Sequence, residues 1–185
     1  PPTPPNRYQA TVVLVVRRKD LDDAAWSLEK SRLASSYGAS LVLSEEEVSR
    51  TPPKRLISSL RSLGSGRVPL LLDAVGGKVP SLLALALSEG ATCVTYGGLS
   101  RQATSVRAGT SIFQDVSFRG FWLSRWTNRA ENRAARVEML GELARMAASG
   151  ALKLPQVRAF QLEEFEAALG NVGNGEKTAF DCDRE

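Results

Sequence analysis

The chain has 185 residues, with 43% apolar and 24% charged residues, which predicts one globular domain with a sizeable core. Its net charge of +4 is compatible with a mitochondrial or nucleic-acid-associated setting and demonstrates neither. The chain has no histidine, and its two cysteines, Cys93 and Cys182, lie far apart. Nucleophilic catalysis of the Ser–His–Asp or Cys–His type is therefore excluded within this chain, and disulfide scaffolds and ordinary zinc sites are disfavoured.

Short apolar segments alternate with helical segments along the chain. Residues 1–9 are expected to form an extended, proline-rich lead-in, with no signal or transit peptide. The predicted strands cover residues 11–16, 39–43, 68–72, 92–95 and 117–123. The predicted helices cover residues 21–37 (capped by Asp20 or Asp22 and stopped by Gly38), a turn from Ser44, and residues 54–63, 80–88 and 130–149. The tail adds extended pieces near 156–160 and 177–181 around a helix near 162–169.

Strands separated by helices at this spacing are typical of βαβ units in a parallel sheet. The first strand, TVVLVV, is a continuous apolar run rich in β-branched residues, as expected for a strand buried on both faces. No apolar run approaches the roughly 18 residues that a bilayer span requires, so no membrane span is expected.

Three sequence blocks carry a resemblance to a known family: LLDAVGGK (71–78), VTYGGLS (94–100) and VSFRGFWLSRW (116–126). In this order and spacing they resemble the medium-chain dehydrogenase/reductase superfamily, and more narrowly its mitochondrial NADPH-dependent 2-enoyl thioester reductases. The closing segment, residues 154–170, is similar as well, so that the resemblance covers about residues 10–180. It implies a Rossmann-type cofactor domain and a mitochondrial, matrix-side location.

Two elements of that family have no counterpart in the sequence. Its members carry a GroES-like catalytic domain with a proton-donating tyrosine, and a glycine-rich turn after the first Rossmann strand. No G-x-G-x-x-G motif occurs here, and the run at 11–16 corresponds to the second strand. The first strand is the centre of a Rossmann sheet, so its absence should leave two sheet pieces with open edges.

The predicted fold is therefore α/β, a partial Rossmann-like parallel sheet without the first strand and its glycine-rich turn, with helices on both faces. The predicted domains are the lead-in (1–9), the partial nucleotide-binding domain (10–150) and a C-terminal segment (151–185) that in the family returns to the catalytic domain. Other protein chains are expected to cover the open sheet edges and the apolar side of the C-terminal segment.

A basic cluster of Arg17, Arg18 and Lys19 follows the first predicted strand. An arginine at this point of a Rossmann domain accommodates the 2′-phosphate of NADP, as the resemblance also implies. A solvated strand end and a contact to RNA phosphate are the alternatives. NADPH is accordingly the implied cofactor, although we expect no binding of it by this chain alone.

Two further segments complete the predicted cofactor site. Tyr96, Gly97 and Gly98 end a strand at the sheet edge where ligands bind in open α/β folds, and a plain tight turn is the alternative. By resemblance, the backbone of Phe121, Trp122 and Leu123 lies along the nicotinamide, with core or subunit-interface packing of the side chains as the alternative. No catalytic and no metal-binding residue is assigned.

Two functions remain open from the sequence. The first is a reductase-derived, non-catalytic structural subunit of a larger mitochondrial assembly, such as a respiratory complex, an ATP synthase complex or a mitoribosome. The second is the C-terminal piece of a split or processed NADPH-dependent 2-enoyl thioester reductase (an oxidoreductase of mitochondrial fatty acid biosynthesis). Neither hypothesis expects activity from this chain alone.

Overall fold

The computed structural model describes residues 10–18, 20–172 and 177–182. The described residues form two compact units, with the boundary between Trp126 and Thr127. The predicted lead-in at 1–9 lies outside the described residues, and the predicted domain limits remain a prediction. No helix within the described ranges has the length and hydropathy that crossing a bilayer requires.

The first unit alternates strands and helices. Its elements are β1 (Val13–Val16), α1 (Asp23–Tyr37), β2 (Leu41–Ser44), α2 (Glu45–Arg50), α3 (Pro53–Arg61), β3 (Leu70–Asp73), α4 (Lys78–Leu83) with a 3-10 turn (Ala84–Ala86), β4 (Thr92–Thr95), α5 (Ala108–Phe113), β5 (Ser117–Gly120) and α6 (Leu123–Thr127). The predicted end of the first helix at Gly38 is confirmed; of the two predicted caps Asp22 is the one used, so the helix begins at Asp23 and not at Leu21. The Asp22 carboxylate accepts from the Ala25 N–H at 2.7 Å, and Gly38 ends the helix in the left-handed region with a φ of 65°.

Two helices of this unit differ from the sequence prediction. Helix α5 lies in a segment predicted as a polar loop, and α6 begins at Leu123, inside the predicted strand 117–123. The strand prediction is wrong beyond Gly120 because the neighbouring strand ends there. Gly120 pairs with Thr95, the Phe121 N–H still donates to the Thr95 carbonyl at 2.9 Å, and β4 then turns away. With no ladder partner left, the backbone forms a helix.

The strands of the first unit form two separate parallel sheets, β1–β2 and β3–β4–β5. Val13 to Val16 pair with Leu41 to Ser44, and β4 pairs with β3 on one side and β5 on the other. Between β1 and β3 the described residues provide no strand, so both are edge strands. The predicted α/β fold, with its parallel sheet in two pieces, is confirmed.

Helices cover both faces of the β1–β2 sheet because successive side chains of a strand alternate. Leu14 and Val16 pack with Trp26 of α1, while Val13 and Val15 pack with a cluster built by α2, α3 and the 3-10 turn. The buried members of that cluster are Val48, Leu56, Leu60 and Ala86. Residues of α4 join the same cluster, and Val68 packs both against it and against the cluster under the β3–β4–β5 sheet.

The β3–β4–β5 sheet buries one face against the segment that follows α4. Leu71, Cys93 and Phe118 lie opposite one another in the ladder and pack around Leu87, which is fully buried. The other face of edge strand β3 is open, and the exposed fractions of Leu70 and Leu72 are 51% and 60%. Two apolar side chains of a central Rossmann strand are thus left to solvent within this unit.

Glu47 ties α2 to α1 and to the end of β2. Its carboxylate accepts from the Ser44 backbone N–H and from the Lys30 ammonium, while the Ser44 hydroxyl caps the helix in return. Partial burial alone would raise the pKa of Glu47, but the hydrogen bonds from Lys30 and Ser44 outweigh it and hold this pKa below its ordinary value of 4.5.

Replacing Glu47 with glutamine is expected to remove a pH-dependent part of the stability. Because the folded-state pKa is lowered, this contribution is present above pH 4.5 and is lost as the pH falls through the folded-state pKa. Urea denaturation at pH 7 and at pH 4 measures it: the stability difference between wild type and E47Q should shrink at the lower pH. Glu46→Gln, at the exposed neighbour, is the control, and an E47Q difference that is equal at both pH values contradicts the assignment.

The second unit contains α7 (Arg133–Ala148), β6 (Val157–Phe160), α8 (Phe165–Gly170) and β7 (Lys177–Phe180), with 3-10 turns at Ala130–Asn132 and Leu162–Glu164. Strands β6 and β7 pair in parallel, and α8 contacts both. The apolar side predicted for the tail is exposed in this unit, at Leu162, Phe165 and Leu169.

Candidate cofactor site

Two glycine turns meet at the carboxyl edge of the β3–β4–β5 sheet. The first, Asp73–Gly77, follows β3, and the second, Tyr96–Ser100, follows β4. The Tyr96 N–H donates to the Asp73 carbonyl at 2.9 Å, and the Ser100 N–H donates to the Val75 carbonyl at 2.9 Å. The two turns are therefore hydrogen-bonded to each other along their length.

Gly97 is the closest contact between these turns. A Cβ atom on Gly97 would lie 2.5 Å from the Ala74 carbonyl oxygen, closer than real Cβ atoms approach, and 3.2 Å from the Ala74 Cα, which is a tight contact. Gly98 has no heavy atom within 4 Å of the same position and is exposed, and the exposed fraction of Tyr96 is 54%. The second turn is therefore packed against the first turn at Gly97, while Tyr96 and Gly98 are exposed.

The loop after the second turn closes over the start of α4. The Gly77 N–H donates to the Thr104 hydroxyl at 3.0 Å, and the Ser105 N–H donates to the Ser81 hydroxyl at 2.9 Å. The Gly77 N–H is therefore hydrogen-bonded within the protein, and both glycines of the first turn pack against this loop.

Phe121, Trp122 and Leu123 follow β5, beside the second turn. Their exposed fractions are 42%, 68% and 55%, and the Phe121 ring lies 6.5 Å from that of Trp126. They do not belong to the hydrophobic clusters of the first unit. Of the alternatives drawn from sequence, a cofactor contact and a subunit interface both remain, and burial in the core of this unit does not.

The basic cluster after β1 divides by the direction of its side chains. The Arg18 guanidinium donates to the Leu21 carbonyl at 3.0 and 2.6 Å and to the Asp23 carboxylate at 2.8 Å, so it supports the start of α1. The Arg17 side chain is 73% exposed, with Nε 3.6 Å from a Glu45 carboxylate oxygen. Lys19 lies outside the described residues. Arg17 is therefore the arginine whose guanidinium remains accessible to a ligand.

A cavity of about 350 Å³ lies at the end of β2. Arg18, Arg50 and Arg55 supply three cations to its wall, and Glu46 and Glu47 supply two carboxylates. Sequence reasoning missed Arg50 and Arg55 because they lie on α2 and α3, separated by the turn at Pro52. The TPPKR segment signals this turn and carries no sign that both arginines face the end of the sheet.

Cys93 is a buried thiol on β4. Burial raises the pKa of the Cys93 thiol, and the nearby Asp73 charge raises it further against a hydrogen bond with Thr95. A protonated, buried thiol is a poor nucleophile. In the part of the chain that the structure describes, no group of three or more His, Cys, Asp or Glu side chains could hold a metal ion.

A parallel α/β sheet with glycine turns at its carboxyl edge is the arrangement of a Rossmann-like nucleotide-binding domain. The family model described as "Zinc-binding dehydrogenase" matches residues 37–179. The chain belongs to this family, and with it to the medium-chain dehydrogenase/reductase superfamily. The predicted resemblance is confirmed.

Individual relatives show which members of the superfamily this chain is similar to. The chain is 34% identical over 159 residues to the mitochondrial enoyl-[acyl-carrier-protein] reductase of Arabidopsis thaliana, which covers 84% of this chain and 40% of the relative. It is 33% identical over 161 residues to the enzyme of the same name from Xenopus tropicalis, covering 86% of this chain and 43% of the relative. The chain thus spans less than half the length of the curated relatives it matches.

The fold is shared with a solved complex of Etr1p with NADP and crotonyl-CoA. The TM-score is 0.73 at 21% identity, over 90% of this chain and 46% of that one. At this identity the likeness concerns the fold alone. Of the two functions left open by the sequence, the relatives favour the reductase over the structural subunit.

Proposed function

We propose that this chain is the cofactor-binding part of an NADPH-dependent 2-enoyl thioester reductase of mitochondrial fatty acid synthesis, located on the matrix side. The observation that carries the proposal is the exposed Arg17 at the end of β1, in a fold whose second turn opens at Tyr96 and Gly98. When bound, NADPH supplies the hydride that reduces the β-carbon of a 2-enoyl thioester.

The residues present fit two ends of this cofactor. The Arg17 guanidinium offers charge-assisted, bidentate hydrogen bonding to a 2′-phosphate. At the other end, Gly98 carries no side chain and has nothing within 4 Å, so a flat ring can approach the backbone there. The exposed Phe121, Trp122 and Leu123 add apolar surface beside it and exclude water from the ring.

The middle of the cofactor needs elements from outside these residues. The sequence has no G-x-G-x-x-G turn for the pyrophosphate, and no residue of it matches the proton-donating tyrosine of the family. An additional strand pairs with the open edges of β1 and β3 and brings that turn with it. This strand belongs to the same precursor or to another chain. The polypeptide that supplies it also covers the apolar side of the C-terminal segment.

Replacing Arg17 with alanine should weaken NADPH binding and leave NADH binding unchanged, because only NADPH carries the 2′-phosphate. Loss of a charge-assisted hydrogen bond is worth about 1.5–3 kcal/mol, so the expected increase in Kd for NADPH is roughly 10- to 100-fold. Fluorescence titration of the protein expressed from its complete coding sequence measures both constants. Arg145→Ala is the matched control, since the Arg145 side chain is equally exposed at 73% and lies in the second unit.

Two results would overturn this proposal. If the wild-type protein binds neither dinucleotide, the reductase proposal is wrong and the structural-subunit hypothesis replaces it. Arg17 is then expected to contact RNA phosphate. If R17A weakens NADPH and NADH equally, Arg17 does not contact the 2′-phosphate. Mass spectrometry of what co-purifies adds an independent readout: a GroES-like domain with a G-x-G-x-x-G turn supports the reductase, and unrelated proteins support the structural subunit.

A further inference from the structure

Asp73 is a buried carboxylate for which the proposed chemistry has no use. Its side chain is at the end of β3, and the residue is 4% exposed. One carboxylate oxygen accepts from the Val75 N–H at 2.9 Å and the Gly76 N–H at 2.8 Å, and the other accepts from the Thr95 hydroxyl at 3.2 Å. Within the described ranges the structure records no ion pair for it. A carboxylate buried among neutral donors is costly unless these hydrogen bonds are retained.

Those hydrogen bonds fix the backbone on which the second turn rests. The carboxylate holds the amides of residues 75 and 76, and the carbonyls just before them accept from the other turn. Leu99 donates to Ala74 at 3.4 Å, and Ser100 donates to Val75 at 2.9 Å. The Ala74 backbone is also what Gly97 packs against. One side chain therefore determines the spacing of both turns.

Thr95 extends the same control to strand β4. It pairs with Asp73 in the parallel ladder, and its hydroxyl donates across that pair to the carboxylate. Tyr96, the next residue, donates its backbone N–H to the Asp73 carbonyl at 2.9 Å. The carboxylate and the carbonyl of Asp73 thus hold consecutive residues at the point where β4 enters its turn.

We infer that Asp73 is a positioning residue, whose carboxylate sets the position of Tyr96, Gly97 and Gly98 against the dinucleotide. This rests on the proposed function, in which that turn faces NADPH. Asp73 acts through hydrogen bonds to the backbone and touches no reacting atom, so it is not a catalytic residue. Its role depends on hydrogen bonds to two amides and one hydroxyl, which a neutral amide side chain can also form, and not on its negative charge.

Conservative and disruptive substitutions separate positioning from general stability. Asp73→Asn retains an oxygen for the two amides and offers an N–H₂ group to the Thr95 hydroxyl, so it should keep NADPH binding within about twofold of wild type. Asp73→Ala leaves one buried and one partly buried amide unsatisfied and should raise the Kd roughly tenfold or more. Thr95→Val removes one donor and should have an intermediate effect. Leu60→Ala is the control. Leu60 lies on α3 and is buried in the cluster that packs against β1, so its truncation should lower the stability without changing the Kd.

The experiment combines NADPH titration with amide hydrogen exchange in the absence of cofactor, on the protein expressed from its complete coding sequence. In D73A and T95V, amides in both turns, including those of Leu99 and Ser100, should exchange faster than in wild type, while those of α1 should not. Unchanged NADPH affinity in a folded D73A protein overturns the inference and leaves the proposed function intact. The same holds if D73N binds as weakly as D73A.

The exchange data remain informative if the wild-type protein binds no NADPH. In that case the proposed function fails, and the two turns can still be compared between variants. Faster exchange at Leu99 and Ser100 in D73A then supports the control of the second turn by Asp73. Exchange equal to wild type at these amides overturns it.

Discussion

Alanine at position 97 is expected to destabilise the first unit by about 1–3 kcal/mol and to weaken NADPH binding at least ~10-fold. The added Cβ would lie 2.5 Å from the Ala74 carbonyl oxygen, and the neighbouring atom is backbone that cannot rotate away. Relief requires the two turns to separate, which displaces Tyr96 and Gly98 from the positions that the proposed cofactor contact needs. Urea denaturation and NADPH titration measure the two effects.

Gly98→Ala is the matched control for this substitution. It introduces the same methyl group one residue away, where nothing lies within 4 Å, and neither glycine has a φ in the left-handed region. G98A should therefore leave the free energy of unfolding within about 0.5 kcal/mol of wild type. Equal stability of the G97A and G98A proteins would show that the two turns do not pack as described. A weaker NADPH complex of a stable G98A protein is expected if the cofactor approaches the backbone there.

Truncating Leu87 to alanine is expected to lower the free energy of unfolding of the first unit by about 2–5 kcal/mol. Leu87 is fully buried between Cys93, Val116 and Phe118, so the lost side chain leaves a cavity under the β3–β4–β5 sheet. A typical domain has only about 5–15 kcal/mol of stability, and this single change removes a large part of it. Urea denaturation followed by tryptophan fluorescence provides the measurement.

The comparison for this truncation is Leu28→Ala on α1, where the leucine is 74% exposed. Alanine is the best helix former, and little buried area is lost, so L28A should change the stability by less than about 0.5 kcal/mol. A loss at Leu87 no larger than at Leu28 would mean that the cluster around Cys93 does not form the core of this sheet.

Much of this architecture follows from the sequence because local signals and tertiary packing agree. The β-branched run before Arg17 predicts β1, and the glycines after Asp73 and Thr95 predict the two turns at the sheet edge. The helix at Leu123 escapes prediction because apolar aromatic residues are typical of strands as well. What decides against the strand is the end of its partner at Thr95, which is a fact of tertiary structure.

The different roles of neighbouring residues in the site also depend on tertiary structure. Arg17 and Arg18 are identical in sequence terms, and only the position of the Leu21 carbonyl assigns Arg18 to the start of α1. The contact between Asp73 and Thr95 depends on strand register, since the two residues are 22 positions apart and pair only in the folded sheet. The residue type identifies candidate groups, but the register of the strands determines which of them are in contact.

The open edges of β1 and β3 also bear on how the cell produces this protein. An edge strand whose backbone donors and acceptors lack partners binds any compatible extended segment, including that of a neighbouring copy. If the proposed additional strand is supplied by another chain, a copy that has not yet paired with it is expected to bind chaperones and to be degraded by quality-control proteases. In that case the steady-state abundance of this protein should follow the supply of the proposed strand.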